Sequence, residues 1–432
     1  MDMPTSHTLR SVLLYDKDGP LQCLIASEDL LDLQQLKQCT GRQLKVLTGD
    51  KLVKAIQANK IRPVPQSQQC YLLPTIIDDT LLDDENQWCD ISGLDLTHLR
   101  DQLHLQDQHV RHHRITILSS DLPQAIPAPE HDEATITQSI QSLTGQRMRQ
   151  RIDETLEIPP LSPTVNKIMQ LRADPNATST ELTRVVESDP ILAAQVVSWA
   201  SSPFYAAPGR VKSVQDAIVR VLGFDVVSNM AIGLVLGRSL QVPEEHSAGF
   251  TPYWTQAIYC SAVVEALTRK LSGKLPSGER RPSSGMIYLA GLLHNFGYLV
   301  LAHSFPPQFA TICRHVEANP LISHVAIEQH LTGVCREQIG AWLMQTWNMP
   351  DEIVIALRQQ QNPDYSGDHA VYANLVYIAI RLLRLHGIGD APPEAVPASV
   401  YHRLGLDQKT CEQLVEELVN SDELQMTASL AA

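Results

Sequence analysis

Gly291-Leu292-Leu293-His294-Asn295-Phe296-Gly297 is the stretch on which the fold turns. It lies inside the apolar window Met286 to Phe305, whose length suits either a membrane span or a helix in a protein core. An imidazole and an amide side by side at its centre decide between the two, because hydrocarbon offers such groups no partners. The window predicts a buried helix of a folded domain, with His294 and Asn295 satisfied by other polar groups.

Working outward, helix signals dominate. Ser162-Pro163 combines a capping hydroxyl with a first-turn proline, and Asp189-Pro190 opens Ile191 to Ala200 in the same way. Thr178-Ser179-Thr180-Glu181 has the spacing of a reciprocal capping box, and Ser213 to Leu222 stops at Gly223. No strand-like run interrupts Asp132 to Gly389, so residues 132–390 are expected to form an all-α bundle. The tail, 391–432, is a proline-broken segment with a helix from Gln408.

Residues 119–131 contain three prolines and little periodicity, the composition of an extended linker. The preceding residues 1–118 read as a small α+β domain. Ser11–Tyr15 and Leu21–Ala26 flank the turn Asp16-Lys17-Asp18-Gly19 as a hairpin. Glu28 to Gln38 has leucines at helical spacing, and Tyr71 to Ile77 is extended before the acids of Asp78 to Glu85. The run His104 to Arg114 is rich in histidine, but Arg111 and Arg114 repel cations and the spacing fits no metal geometry, so it reads as a solvated edge. Lys274 to Arg281 reads as a surface loop, with closure over an anionic ligand as the alternative.

Composition sets outer bounds. Of 432 residues, 44% are apolar and 19% charged, enough to bury the cores of two or three domains. The net charge of −14 disfavours DNA, including DNA bound by the helical pair from Thr178 to Ala200. Eight scattered cysteines without a Cys-x-x-Cys pair read as reduced thiols, and Met1 to Arg10 shows no signal-peptide pattern. Cytoplasmic placement, no membrane association and no cofactor are the expectations.

The His-Asn segment, together with Leu156–Pro163, Glu187-Ser188-Asp189-Pro190 and Ala217–Gly223, resembles the HDOD family, the likeness running over about residues 150 to 385. HDOD domains are similar to HD phosphohydrolases, and this resemblance implies a metal site built from an upstream His, a His-Asp pair and a downstream Asp. At those positions the chain has Gln256, His294, Asn295 and Ile380. In the further signature Gly333–Trp342, Cys335 and Arg336 stand where an Asp-His pair is common. These residues read as a vestigial site, with no metal. Arg336 reads as part of a solvated helix face, the alternative being an anion receptor.

Asp50 to Leu82 resembles the YbaK-like aminoacyl-tRNA deacylase domain, which uses a lysine on an early strand and a Gly-x-x-x-Pro loop. Arg10 replaces the lysine, and Asn59 precedes Pro63 at the glycine spacing, so these too are vestigial positions. Together the resemblances imply a bacterial, non-catalytic regulatory or signal-transduction protein that binds a partner protein, or a small anionic or nucleotide ligand, through its HDOD domain. The alternative is an aminoacyl-tRNA editing hydrolase, which would make tRNA a partner and which Arg10 argues against.

Overall fold

The computed structural model describes residues 7–428 apart from 48, 58–60, 83–87, 107, 124, 148–161, 202–210, 239–251, 273–274, 276–277, 348, 393, 423 and 426–427. The chain divides into two compact units. Among the described residues, the first comprises those up to Ala125 together with Ala310–Leu331, and the second holds the rest. The division therefore differs from a simple break at the proline-rich segment: a piece from late in the chain belongs to the first unit.

The first unit is α/β, with strands β1 (His7–Asp16), β2 (Gly19–Ala26), β3 (Leu30–Leu31), β4 (Lys45–Val46), β5 (Thr75–Asp78), β6 (Trp88–Cys89), β7 (Val110–His113) and β8 (Thr116–Ile117). β1 and β2 form the expected antiparallel hairpin, closed at Asp16 and Gly19. Gly19, at φ 110°, supplies a backbone angle that other residues rarely adopt. The main sheet is mixed, ordered β4-β1-β2-β5-β7 with β6 also on β1, and β3 pairs with β8 in a small second sheet. β7 is an edge strand, and Arg111 and His112 on it are exposed, as a solvated edge requires.

One helix is shorter than its leucines suggested. Leu30–Leu31 is strand, paired with Thr116 and Ile117, and the helix starts only at Leu33 and runs to Thr40. The reason is local chemistry: the Asp32 carboxylate accepts from the Gln34 and Gln35 amides and so caps the helix two residues past the strand. Buried Leu30 packs with Leu122, Ala326 and Ile327, so residues 310–331 complete this unit's core.

The second unit is helical; all strands among the described residues precede it. Ser162 accepts from the Val165 amide, Thr178 and Glu181 form the capping box, and Asp189 accepts from Ile191 and Leu192. Met286 to Phe305 is buried as expected, but as two helices rather than one, Ser284–Leu293 and Phe296–Ser304. The stretch Gly285–Ser304 is long and apolar enough to cross a membrane, but its most apolar window is 94% buried, which is the state of a core helix.

Glycines explain how polar residues reach the middle of this core. A Cβ at Gly291 would stand 2.6 Å from the Ser261 backbone, and one at Gly297 would stand 1.9 Å from the Arg336 carbonyl oxygen. Both glycines therefore allow helix backbones to approach where any side chain would separate them. Replacement of Gly297 by alanine is expected to lower the urea midpoint by the equivalent of about 1–3 kcal/mol, because a backbone carbonyl cannot rotate away as a side-chain tip can; equilibrium urea unfolding of the two proteins checks it.

Candidate functional site

The two halves of the apolar window meet at His294 and Asn295. Asn295, at φ −107° and ψ 25°, interrupts the helix and starts the next. A broken helix leaves carbonyls without their usual amide donors. Here the Gln360 side-chain amide donates to the His294 carbonyl at 2.6 Å, and the Asn295 carbonyl accepts from the Tyr298 amide at 3.0 Å.

The His294 ring is buried, with Nδ1 2.7 Å from the Gly291 carbonyl oxygen. That distance to an acceptor places the proton on Nδ1. Burial pulls the imidazole down to about 4, the Arg336 charge adding to the effect while the Gly291 carbonyl, Asp390 and Glu337 oppose it. The ring is therefore neutral at physiological pH.

Asn295 links this turn to two other elements. Its Nδ2 donates to Gln256 Oε1 at 3.1 Å, from the helix Tyr253–Lys270, and its Oδ1 accepts from Arg336 Nη1 at 3.3 Å. The same Nη1 donates to Asp390 Oδ2 at 2.5 Å, and the guanidinium lies 5.1 Å from the centre of the Tyr298 ring. Arg336 is only 3% exposed, so the expectation of a solvated helix face is corrected. The cause is Asp390, which supplies the carboxylate that makes burial of a guanidinium tolerable.

Asp390 has no counterpart in the sequence reading. The helix Ala370–Leu385 contains no acid, and Ile380 on it is buried with an aliphatic side chain. The carboxylate comes from just beyond, in Gly387-Ile388-Gly389-Asp390, where both glycines take positive φ, 76° and 86°. Two glycines bracketing a single residue were the available signal of a sharp reversal.

A second buried ion pair joins Arg358 to Asp132. Arg358 grips Asp132 through Nε at 2.5 Å and Nη2 at 3.0 Å, and the Gln338 amide donates to Asp132 at 2.8 Å. Among the described residues, no group of three or more His, Cys, Asp or Glu is placed to hold a metal ion.

The HDOD domain model matches residues 158–363. A solved structure from Marinobacter aquaeolei VT8, named "Putative signal transduction protein", is 40% identical, with a TM-score of 0.83 over 99% of this chain and 94% of that one. Residues 158–363 of the chain are an HDOD domain. An HDOD domain protein from Geobacter sulfurreducens, 18% identical, shares the fold with a TM-score of 0.52 over 68% of this chain and 98% of its own. An uncharacterized protein of Treponema pallidum (strain Nichols) is 22% identical over 292 residues, and the match spans 67% of this chain and 54% of that protein.

Gln256, His294, Asn295 and Arg336 thus come together within the HDOD domain, and Ile380 lies on a helix that packs against the one bearing Gln256. Arg10, in the first unit, is buried and donates to the Ala318 carbonyl at 3.0 Å, the Asp29 carbonyl at 3.1 Å and Asn319 Oδ1 at 2.6 Å. Pro63 pairs with Tyr71 in an isolated bridge. Asn59, the segment Leu156–Leu161 and part of the loop Lys274–Arg281 lie outside the described residues.

Two expectations follow. Arg336→Ala should cost about 3 kcal/mol in urea unfolding, the low end for a broken buried pair because the Asp390 side chain keeps 15% exposure; adding Asp390→Ala should recover part of the loss. For His294, the sign of the pH effect is set by its lowered value. Between about 6.5 and about 4 the unfolded chain takes up a proton that the folded one refuses, so stability falls with pH across that window. His294→Gln should remove that share of the slope, up to about 3 kcal/mol, which urea midpoints of both proteins at intervals across the window would measure.

Proposed function

We propose that this protein is a non-catalytic regulatory protein whose HDOD domain binds a partner protein or a small ligand in signal transduction. The observation that carries the proposal is the Arg336 guanidinium, held between Asn295 and Asp390 at the His-Asn turn. An HD phosphohydrolase needs imidazole and carboxylate donors around a divalent ion. The positions in question carry an amide at Gln256, a neutral imidazole at His294, a second amide at Asn295, an alkyl chain at Ile380 and a fixed cation at Arg336. The nearby carboxylate of Asp390 is already paired with that cation. These residues do not fit a divalent ion, and the reading treats them as the remnant of a catalytic site.

The first unit supports the same direction. A guanidinium whose Nη1 and Nη2 are engaged by Ala318, Asp29 and Asn319 is a structural brace, unsuited to the role of a titratable lysine. The 40% identical Marinobacter protein shares both units and has a signalling name, which adds to the regulatory reading.

Elemental mass spectrometry of untagged protein should find no stoichiometric iron, manganese or zinc, and hydrolysis of a generic phosphodiester should stay at the no-enzyme rate with any of these metals added. Stoichiometric metal, or hydrolysis abolished by His294→Ala, would remove the basis of the proposal.

A further inference from the structure

We infer that the first unit carries a binding site for a nucleoside phosphate, in the cleft between the helix Leu33–Thr40 with its following loop and the helix segment containing Arg314. The cleft has a volume of about 540 Å³, within the range of small-molecule sites. Its charged lining consists of Lys37, Arg42 and Arg314, and no acidic side chain lines it. In a chain of net charge −14 that grouping makes a local positive region.

The cations differ in what they already hold. Arg42 is fixed by Asp16 and by the Gly19 carbonyl at 2.5 Å, so it contributes shape and little net charge. Among the described residues, Arg314 donates only to the Ala310 carbonyl and, at 3.4 Å, to the Thr311 hydroxyl, and no carboxylate there compensates its charge. Lys37 is exposed and has no partner among the described residues. Lys37 and Arg314 are therefore the groups that can take a phosphate, the guanidinium offering the forked geometry that suits it.

The rest of the lining suits the other end of a nucleotide. Gln34 and Gln38, with Lys37 between them, share a face of the helix at one-turn spacing, and both present primary amides. An amide can donate and accept at once, as the edge of a base requires, and Leu44 adds apolar surface for its face. The floor is rigid: the buried His315 ring receives the Leu33 amide at Nε2, 3.3 Å away, and its Nδ1 lies 2.9 Å from the Thr311 carbonyl oxygen. The Nδ1 contact fixes the ring on its own helix, and the Nε2 bond ties that helix to the opposite wall.

This site is independent of the His294 cluster and of the regulatory proposal built on it. The test is isothermal titration of the full chain with ATP, GTP, AMP and GMP, with adenosine and inorganic phosphate as the separate halves. At least one nucleotide is expected to bind one-to-one, more tightly than either half and more weakly as sodium chloride is raised. Lys37→Glu with Arg314→Glu should weaken it by about a hundredfold or more, and the milder Lys37→Gln should weaken it by about tenfold, with unchanged urea midpoints. Binding of none of the four nucleotides, binding untouched by these variants, or binding only to oligonucleotides or to phosphoinositide vesicles would each overturn the inference.

Discussion

An arginine in a protein interior does not discard its charge, so a buried guanidinium favours an arrangement that brings carboxylates, carbonyls or amide oxygens to it. That constraint organises both units. In the second, Arg336 must find Asp390 and Asn295, and Arg358 must find Asp132. In the first, Arg10 must find the Ala318 carbonyl, which ends one helix, and Asn319 beside it. Each arginine joins parts of the chain far apart in sequence, and each would leave a costly unpaired group if its partners moved. Apolar packing supplies the bulk of the stability in such a core, but it is tolerant of sliding, whereas these pairs permit one arrangement.

Arg10 also explains how a segment from inside the HDOD match becomes part of the first unit. Residues 310–331 lie within the matched span 158–363 yet belong to the compact N-terminal unit. The Leu31 amide donates to Asn319 Oδ1 at 2.7 Å and Asn319 Nδ2 donates to the Leu31 carbonyl at 3.1 Å, satisfying strand β3 on the side that β8 does not cover. One amide side chain therefore acts as a third strand would, and Ala318 adds itself to the core around Leu31 and Leu36.

What was legible beforehand follows the range of the interaction. Caps and turns are short-range: Thr178 with Glu181, Asp189 with its proline, and the Asp16 to Gly19 turn act within a few residues, and all are visible in the chain. The burial of the His-Asn window was equally visible from its composition. The break at Asn295 was not, because the Gln360 side chain that donates to the orphaned His294 carbonyl comes from 66 residues on. The same is true of Arg336, which looks like any surface arginine until Asp390 is brought to it by two glycine reversals. Strand β3 was missed because Leu30 and Leu31 fit a helical leucine pattern as well as a strand, and only pairing with Thr116 and Ile117 decides.

The pairing of Arg336 with Asp390 also bears on what kind of protein the HDOD domain makes. A metal ion offers open coordination positions, acidifies bound water and can leave; a guanidinium is tethered, donates hydrogen bonds in one plane and is unable to activate water. Its charge nevertheless balances the carboxylate, and His294 beside it is neutral at physiological pH because burial lowers it to about 4. Arg336 and Asp390 thus offset each other beside a neutral imidazole, and the Asn295 amide is oriented by Gln256 and Arg336. On the proposed reading, the same positions that would gather charge around a reacting phosphate instead lock the turn between two helices, so that recognition rests with the surfaces this rigid core holds in place.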